Sequence, residues 1–199
     1  MEYRVINIRN IEKETWKAWF SQANSQLQEK ISCYRLTEDQ MRCLCGHHLA
    51  REMLSEKLGC SPLSLEFSRT EKGKPYLVNG NWHFNISHSG NFVACAIAKN
   101  PIGIDIEELR SVKESLCKKV CTEEELSFVY SDGEFSSRQF LQLWTAKEAV
   151  LKQIGIGISP DLSHFPVWKE GSFSYPPLQI AQVTKDNYVL TVAYKNTDR

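Results

Sequence analysis

The sequence predicts an α+β protein made of two similar halves, each running strand, helix, then strands, and three observations point there. Displacing the chain against itself by 96 positions lays NFVACAIAK (91–99) on NYVLTVAYK (187–195), two aromatic-led, β-branched and alanine-rich runs suited to buried strands. The same displacement sets Ala50-Arg51-Glu52 on Ala146-Lys147-Glu148, Gly59 on Gly155, and Ile6 and Ile8 on Ile102 and Ile104. In both halves a stretch with helical apolar spacing precedes the matching strand. The expected division is a first lobe over 1–99 and a second over 100–199, with a ligand site in the cleft between them, where pockets favour such interfaces.

Composition sets the bounds on function. A chain of 199 residues can bury a core without staples, and 42% hydrophobic with 24% charged residues is ordinary for a globular protein. Lys plus Arg and Asp plus Glu both number 24, so no global charge recruits nucleic acid or an anionic membrane, and a basic site must be local. The seven cysteines are odd in number and form no C-x-x-C pair, which predicts reduced thiols and a cytoplasmic protein. Cys43, Cys45, His47 and His48 lie together, but at the wrong spacing for zinc. The longest apolar run, FVACAIA at 92–98, is too short to span a bilayer, and the charged start MEYRVINIRN is no signal peptide.

The elements follow in chain order. MEYRVINIRN supplies the first strand, matched by the displacement to residues 102–105, which puts Arg9 opposite Asp105. Residues 37–58 open on Thr37 as N-cap, carry Met41, Leu44, Cys45, Leu49, Met53, Leu54 and Leu58 at helical spacing, and stop at Gly59. In YLVNGNWHFNIS, Asn79-Gly80 between β-rich flanks predicts a hairpin, whose second arm leads into SHSG and the 92–98 strand. PIGIDIEELR alternates Ile102, Ile104 and Ile106 with Gly103, Asp105 and Glu107, giving a strand with one aliphatic and one carboxylate face. Thr122 with Glu125 is a capping-box pattern, YSDGEFSS (130–137) is a loop, and RQFLQLWTAKEAVLKQIG is helical again.

On that last helix Phe140, Leu143, Trp144, Val150, Leu151 and Ile154 form an apolar stripe, with Lys147 inside it. A buried ammonium is costly unless paired, so Lys147 should meet a carboxylate or a ligand anion. Glu148 sits at the stripe margin, one turn before Lys152. Asp105, Glu107 and Glu148 together offer three carboxylates to a hard divalent cation, and Lys147 and Lys152 offer ammoniums to phosphate. Mg²⁺ prefers oxygen ligands and commonly shares them with a substrate phosphate. Lys72 and Lys74 flank Gly73, and Gly90 stands beside His88 and Ser89, a mixture suited to a pyrophosphate. These residues alone specify phosphate chemistry, and leave open another Mg²⁺-dependent phosphotransferase or phosphohydrolase, or a noncatalytic binding module.

Four ordered blocks, GKP (73–75), FNISHSG (84–90), GIDIE (103–107) and WTAKEAVLK (144–152), resemble the 4'-phosphopantetheinyl transferases. The length is similar to the broad-specificity, pseudodimeric subgroup, whose fold has two lobes related by a pseudo-twofold, each a small antiparallel sheet packed with a long helix. The resemblance implies an Mg²⁺-dependent enzyme that moves phosphopantetheine from coenzyme A to a serine of an apo acyl or peptidyl carrier protein, acting as a monomer. It makes Asp105, Glu107 and Glu148 the metal ligands, and Lys152 and His88 the partners of the phosphate oxygens. Lys74 and Ser87 would frame the nucleotide, with Lys30 and Arg42 at its 3'-phosphate or adenine end. Glu148 is the expected general base, and loop residues 108–139 the expected border of the carrier site. Ser87-His88 does not mark a hydrolase, since no G-x-S-x-G elbow is present and neighbours on a strand face opposite ways.

Overall fold

The computed structural model of the chain describes residues 1–131, 133–157 and 161–196. The first half contains strand β1 (Glu2–Asn7), helices α1 (Lys13–Gln22), α2 (Ser25–Ser32) and α3 (Thr37–Leu58), the short strands β2 (Phe67–Arg69) and β3 (Pro75–Leu77), and strands β4 (His83–Ser89) and β5 (Phe92–Ala98). The second half contains β6 (Ile102–Glu108), helices α4 (Glu114–Val120), α5 (Glu123–Val129) and α6 (Ser137–Ile154), the two-residue strands β7 (Trp168–Lys169) and β8 (Ser172–Phe173), and strands β9 (Gln179–Thr184) and β10 (Tyr188–Tyr194). Among the described residues two three-stranded antiparallel sheets result, ordered β1-β5-β4 and β6-β10-β9, with α3 packed on the first and α6 on the second, beside the two-stranded pairs β2-β3 and β7-β8.

The duplication is real, and its register is slipped at one strand. His83 pairs with Ala98 and Gln179 with Tyr194, so β4-β5 and β9-β10 match at a displacement of 96, and α3 and α6 end at matching glycines, Gly59 and Gly155, both left-handed. The first strands do not. Arg4 pairs with Cys95 and Asp105 with Thr191, the matching position of β10, so Arg4 and not Arg9 stands where Asp105 stands. Arg9 lies in a 3-10 turn beyond β1. Ile6 therefore corresponds to Glu107 rather than to Ile102, because the central strand's register fixes the partner and five extra positions separate the two first strands.

Each face of β6 has a separate task. Ile102, Ile104 and Ile106 are buried with Phe92, Ala94, Ala96, Leu190 and Val192 in a core shared by both sheets. The other face lies against α6, which crosses so closely at Gly103 that an added Cβ would stand 2.0 Å from the carbonyl oxygen of Ala149. Only glycine lets the carboxylate strand and the helix carrying Glu148 approach this far.

Local sequence signals fared unevenly. The capping box at Thr122 and Glu125 forms as expected. Thr37 is not the N-cap of α3; Leu36 occupies that position with no side-chain hydrogen bond, and Thr37 is the first helical residue. Asn79-Gly80 does not close a hairpin, since β3 pairs backward with β2 and β4 forward with β5. Asn79 does take the left-handed conformation, as an isolated turn (φ 54°). Ile154 leaves the α6 stripe and is exposed. Asp132 of the expected loop lies outside the described residues.

Candidate active site

Asp105 is the centre of the site. It is 4% exposed; its Oδ1 accepts from Lys152 Nζ at 2.5 Å and from Ser87 Oγ at 2.7 Å, while its buried Oδ2 has no partner among the described residues. Lys152 also donates to Ser87 Oγ at 3.0 Å, closing a triangle. Two residues along β6, Glu107 Oε2 accepts from Ser89 Oγ at 2.6 Å and from Arg110 at 3.1 Å. The alternation of FNISHS explains these contacts: Asn85, Ser87 and Ser89 share one face of β4 and all reach β6. Asn85 Oδ1 accepts the backbone N–H of Ile104 at 2.9 Å, so β4 meets β6 through side chains rather than a ladder.

Electrostatics bind the carboxylates into one system. Burial raises the pKa of Glu148; Lys152 opposes that shift, and the negative charges of Asp105 and Glu107 add to it. Burial also raises Glu107, with Asp105 adding to the shift and the Ser89 hydrogen bond, Arg110 and Lys152 opposing it. Among the described residues no three His, Cys, Asp or Glu side chains are gathered tightly enough to make a finished metal shell. The donor set nonetheless suits a hard divalent cation: all its atoms are oxygens, Asp105 Oδ2 is buried without a partner among the described residues, and burial, reinforced by the charge of Asp105, raises both glutamates.

Lys74 and Lys72 tie the GKP loop to the second lobe. Lys74 Nζ donates to the carbonyl oxygens of Ile102 (3.2 Å) and Lys152, and Lys72 Nζ to that of Ile156 (2.9 Å). Burial, aided by Lys152, lowers the Lys74 ammonium to about 8. A cleft of about 250 Å³ opens here between the lobes, bordered by Lys74, Pro75, Asn85, Glu148 and Lys152. On the far side of Pro75 a cavity of about 310 Å³ is lined by Lys30, His47, Arg51, Phe67 and Arg69. Its cations are visible in His47, whose imidazole falls to about 3 through burial and then Lys30, Arg69 and Arg51.

The remaining expected residues are spread around this frame. Ser87 is buried and spends its hydroxyl on Asp105 and Lys152. His88 faces the other side of β4, where desolvation and then Arg42 and Lys152 lower its imidazole pKa, so it is neutral at pH 7. Arg42 donates to the carbonyl oxygen of Gly90 at 2.7 Å and pairs with Asp39, fixing the turn after SHS. Lys147 is not in the site. It pairs with Glu125 at 2.7 Å, both side chains fully buried, and donates to the carbonyl oxygens of Leu162 and Phe165.

Ser89, Arg110, Asn85 and the His47–Arg69 cavity are the parts sequence reasoning missed. The i+2 spacing of Asn85 and Ser89 about Ser87 was the available signal for two of these residues.

The first lobe holds a copy of the cluster with two of its three charges reversed, Arg4 for Asp105 and Glu56 for Lys152, while Glu52 keeps the charge of Glu148. Arg4, Glu52 and Glu56 occupy the positions of Asp105, Glu148 and Lys152, and Arg4 pairs with Glu52 at 3.2 Å and with Glu56.

Comparison with known proteins gives a consistent result. Residues 10–100 match the family model for 4'-phosphopantetheinyl transferase, N-terminal, and residues 101–193 the model for the 4'-phosphopantetheinyl transferase superfamily. The chain is 33% identical over 167 residues to the 4'-phosphopantetheinyl transferase Sfp of Bacillus subtilis (strain 168), covering 83% of this chain and 75% of that one. It is 32% identical to the 4'-phosphopantetheinyl transferase gsp of Aneurinibacillus migulanus (83% and 70% covered) and 32% identical to the 4'-phosphopantetheinyl transferase HetI of Nostoc sp. (77% and 73%).

Proposed function

Since the chain belongs to the 4'-phosphopantetheinyl transferase superfamily, whose activity is transfer of phosphopantetheine to carrier proteins, we propose that it draws that group from coenzyme A with Mg²⁺ and places it on a serine of an apo acyl or peptidyl carrier protein. The observation that carries this reading is the Asp105–Lys152–Ser87 triangle, with an unpartnered carboxylate oxygen beside two glutamates of raised pKa. Asp105, Glu107 and Glu148 would hold the metal, which supplies charge neutralisation at the pyrophosphate oxygens. The cation-lined cavity on one side of Pro75 and the Lys74–Lys152 cleft on the other suit the two phosphorylated ends of one nucleotide, with Lys30 in the first and Lys74 in the second.

The chemistry assigns tasks to this chain's own groups. The carrier serine oxygen forms a bond to the β-phosphorus as the bridging P–O bond breaks in line, and adenosine 3',5'-bisphosphate leaves with the electron pair. Lys152 stabilises the charge that grows on the phosphoryl oxygens, whereas His88, on the opposite face of β4 beside Arg42, is not placed to share that task. Glu148, which borders the cleft beside Lys152, is the carboxylate offered to the serine proton. The seven free cysteines support a reducing, cytoplasmic setting, and among the described residues no helix is long and apolar enough to cross a membrane. One chain carries both walls of the cleft, which supports action as a monomer.

The test is to incubate the protein with coenzyme A, Mg²⁺ and apo acyl or peptidyl carriers and weigh the carrier. A phosphopantetheine mass gain is expected. Hydrolysis of coenzyme A without transfer would indicate a phosphohydrolase, and binding without turnover a noncatalytic module. Asp105→Asn, which preserves shape, should lower kcat/KM by about 10²-fold or more. Retained activity overturns the assignment of Asp105.

A further inference from the structure

Two carboxylates of β6, Asp105 and Glu107, each carry a built-in cation, and the two cations sit in different places. Lys152, on Asp105, borders the interlobe cleft and can turn to a bound phosphate without leaving it. Arg110, on Glu107, is outside that cleft: its side chain is 55% exposed, and it lines a groove of about 400 Å³ with Val112, Lys113, Leu116 and Lys119. This groove is cationic, has exposed Leu116 in its wall, and is continuous with the acid cluster through Arg110 itself. Its chemistry calls for a partner surface that presents carboxylates around an apolar contact.

Resting on the carrier-protein and Mg²⁺ reading above, we propose that Arg110 couples carrier docking to metal loading. It is the counter-ion of Glu107 in the free protein, and an acidic side chain of the docked carrier draws it away. Arg110 reaches Glu107 through one contact at 3.1 Å, whereas a carboxylate in the groove can engage the guanidinium through two parallel N–H bonds. Glu107 stays aimed when Arg110 departs, because Ser89 still donates to it at 2.6 Å. Removing a positive charge from Glu107 strengthens its hold on a cation. By linkage the metal strengthens carrier binding by the same factor. Arg110 is thus a positioning residue, acting through Glu107.

The experiment measures Mn²⁺ affinity by loss of the free-ion EPR signal, with coenzyme A present, and with or without a carrier whose acceptor serine is alanine. For the unaltered protein the carrier should tighten Mn²⁺ binding about two- to fivefold, the range of an exposed ion pair. Arg110→Gln should bind Mn²⁺ that much more tightly without carrier and show no further tightening with it, while Arg110→Lys, which keeps the charge, retains the coupling. Equal tightening by the carrier in the unaltered protein and Arg110→Gln overturns the proposal, as does unchanged or weaker metal affinity in Arg110→Gln. A mass gain on native apo carrier in excess Mg²⁺ is scored in parallel. Transfer without coupling overturns the role of Arg110 alone, whereas absence of transfer overturns the functional reading beneath it.

Discussion

His47 is held neutral by its surroundings: burial first, then the nearby charges of Lys30, Arg69 and Arg51, bring its pKa to about 3. An unfolded histidine titrates near 6.5, so the unfolded chain binds the extra proton between those values. The stability contributed by neutral His47 is therefore full above about pH 6.5 and is lost as pH falls towards 3, at up to about 1.4 kcal/mol per pH unit. Urea denaturation of His47→Gln should show a flatter stability profile between pH 6 and pH 4 than the unaltered protein; identical slopes would remove His47 as the cause. The acids of β6 were easier to find than this histidine. Asp105 and Glu107 interrupt an isoleucine alternation, and Lys152 follows Glu148 by one turn, so local pattern marks them. Ser89 reaches Glu107 from β4, a relation no local window contains, whereas Arg110 stands only three residues on and meets Glu107 because the chain turns once β6 has ended.

Among the elements, α5 and α6 are joined by the Lys147–Glu125 pair, and Glu125 also accepts the backbone N–H groups of Thr122 and Val167. The helical wheel correctly required a partner for Lys147, but left a structural carboxylate and a ligand anion equally open. Lys147→Met strands a buried carboxylate and should cost about 3–5 kcal/mol in urea denaturation. Its kcat, corrected for the folded fraction, should be unchanged, since Lys147 touches no part of the cleft; a large fall in kcat at full folding would return it to the site. The misplaced hairpin has a physical cause. Asn79-Gly80 supplies the left-handed turn its sequence promises, yet β3 already pairs with β2, so its ladder groups are engaged elsewhere. Gly103 was visible only as part of an alternation, and its close contact with α6 depends on where the helix crosses.

Across the whole molecule, the layer of Ile102, Ile104, Ile106, Phe92, Ala94 and Ala96 belongs to both sheets at once. Ile104→Ala should cost about 2–5 kcal/mol and lower both lobes together. Fluorescence of Trp19 and Trp82 in the first half and Trp144 and Trp168 in the second should report one coincident transition; two separate midpoints would show that the lobes fold independently. The repeat was legible where strands and helices kept a displacement of 96 and misleading where the first strands slipped, because pairing rather than sequence distance decides which residues correspond. Arg4 thereby takes the place of Asp105, with Glu52 and Glu56 closed around it. A duplicated fold begins with redundancy, two equivalent centres on one chain. Here the symmetry is broken by exchange: cation and anion trade places at two of three positions, so one copy closes two acids on an arginine while the other leaves an aspartate oxygen unpartnered among the described residues. The protein therefore has a front and a back, and its second centre has become scaffold.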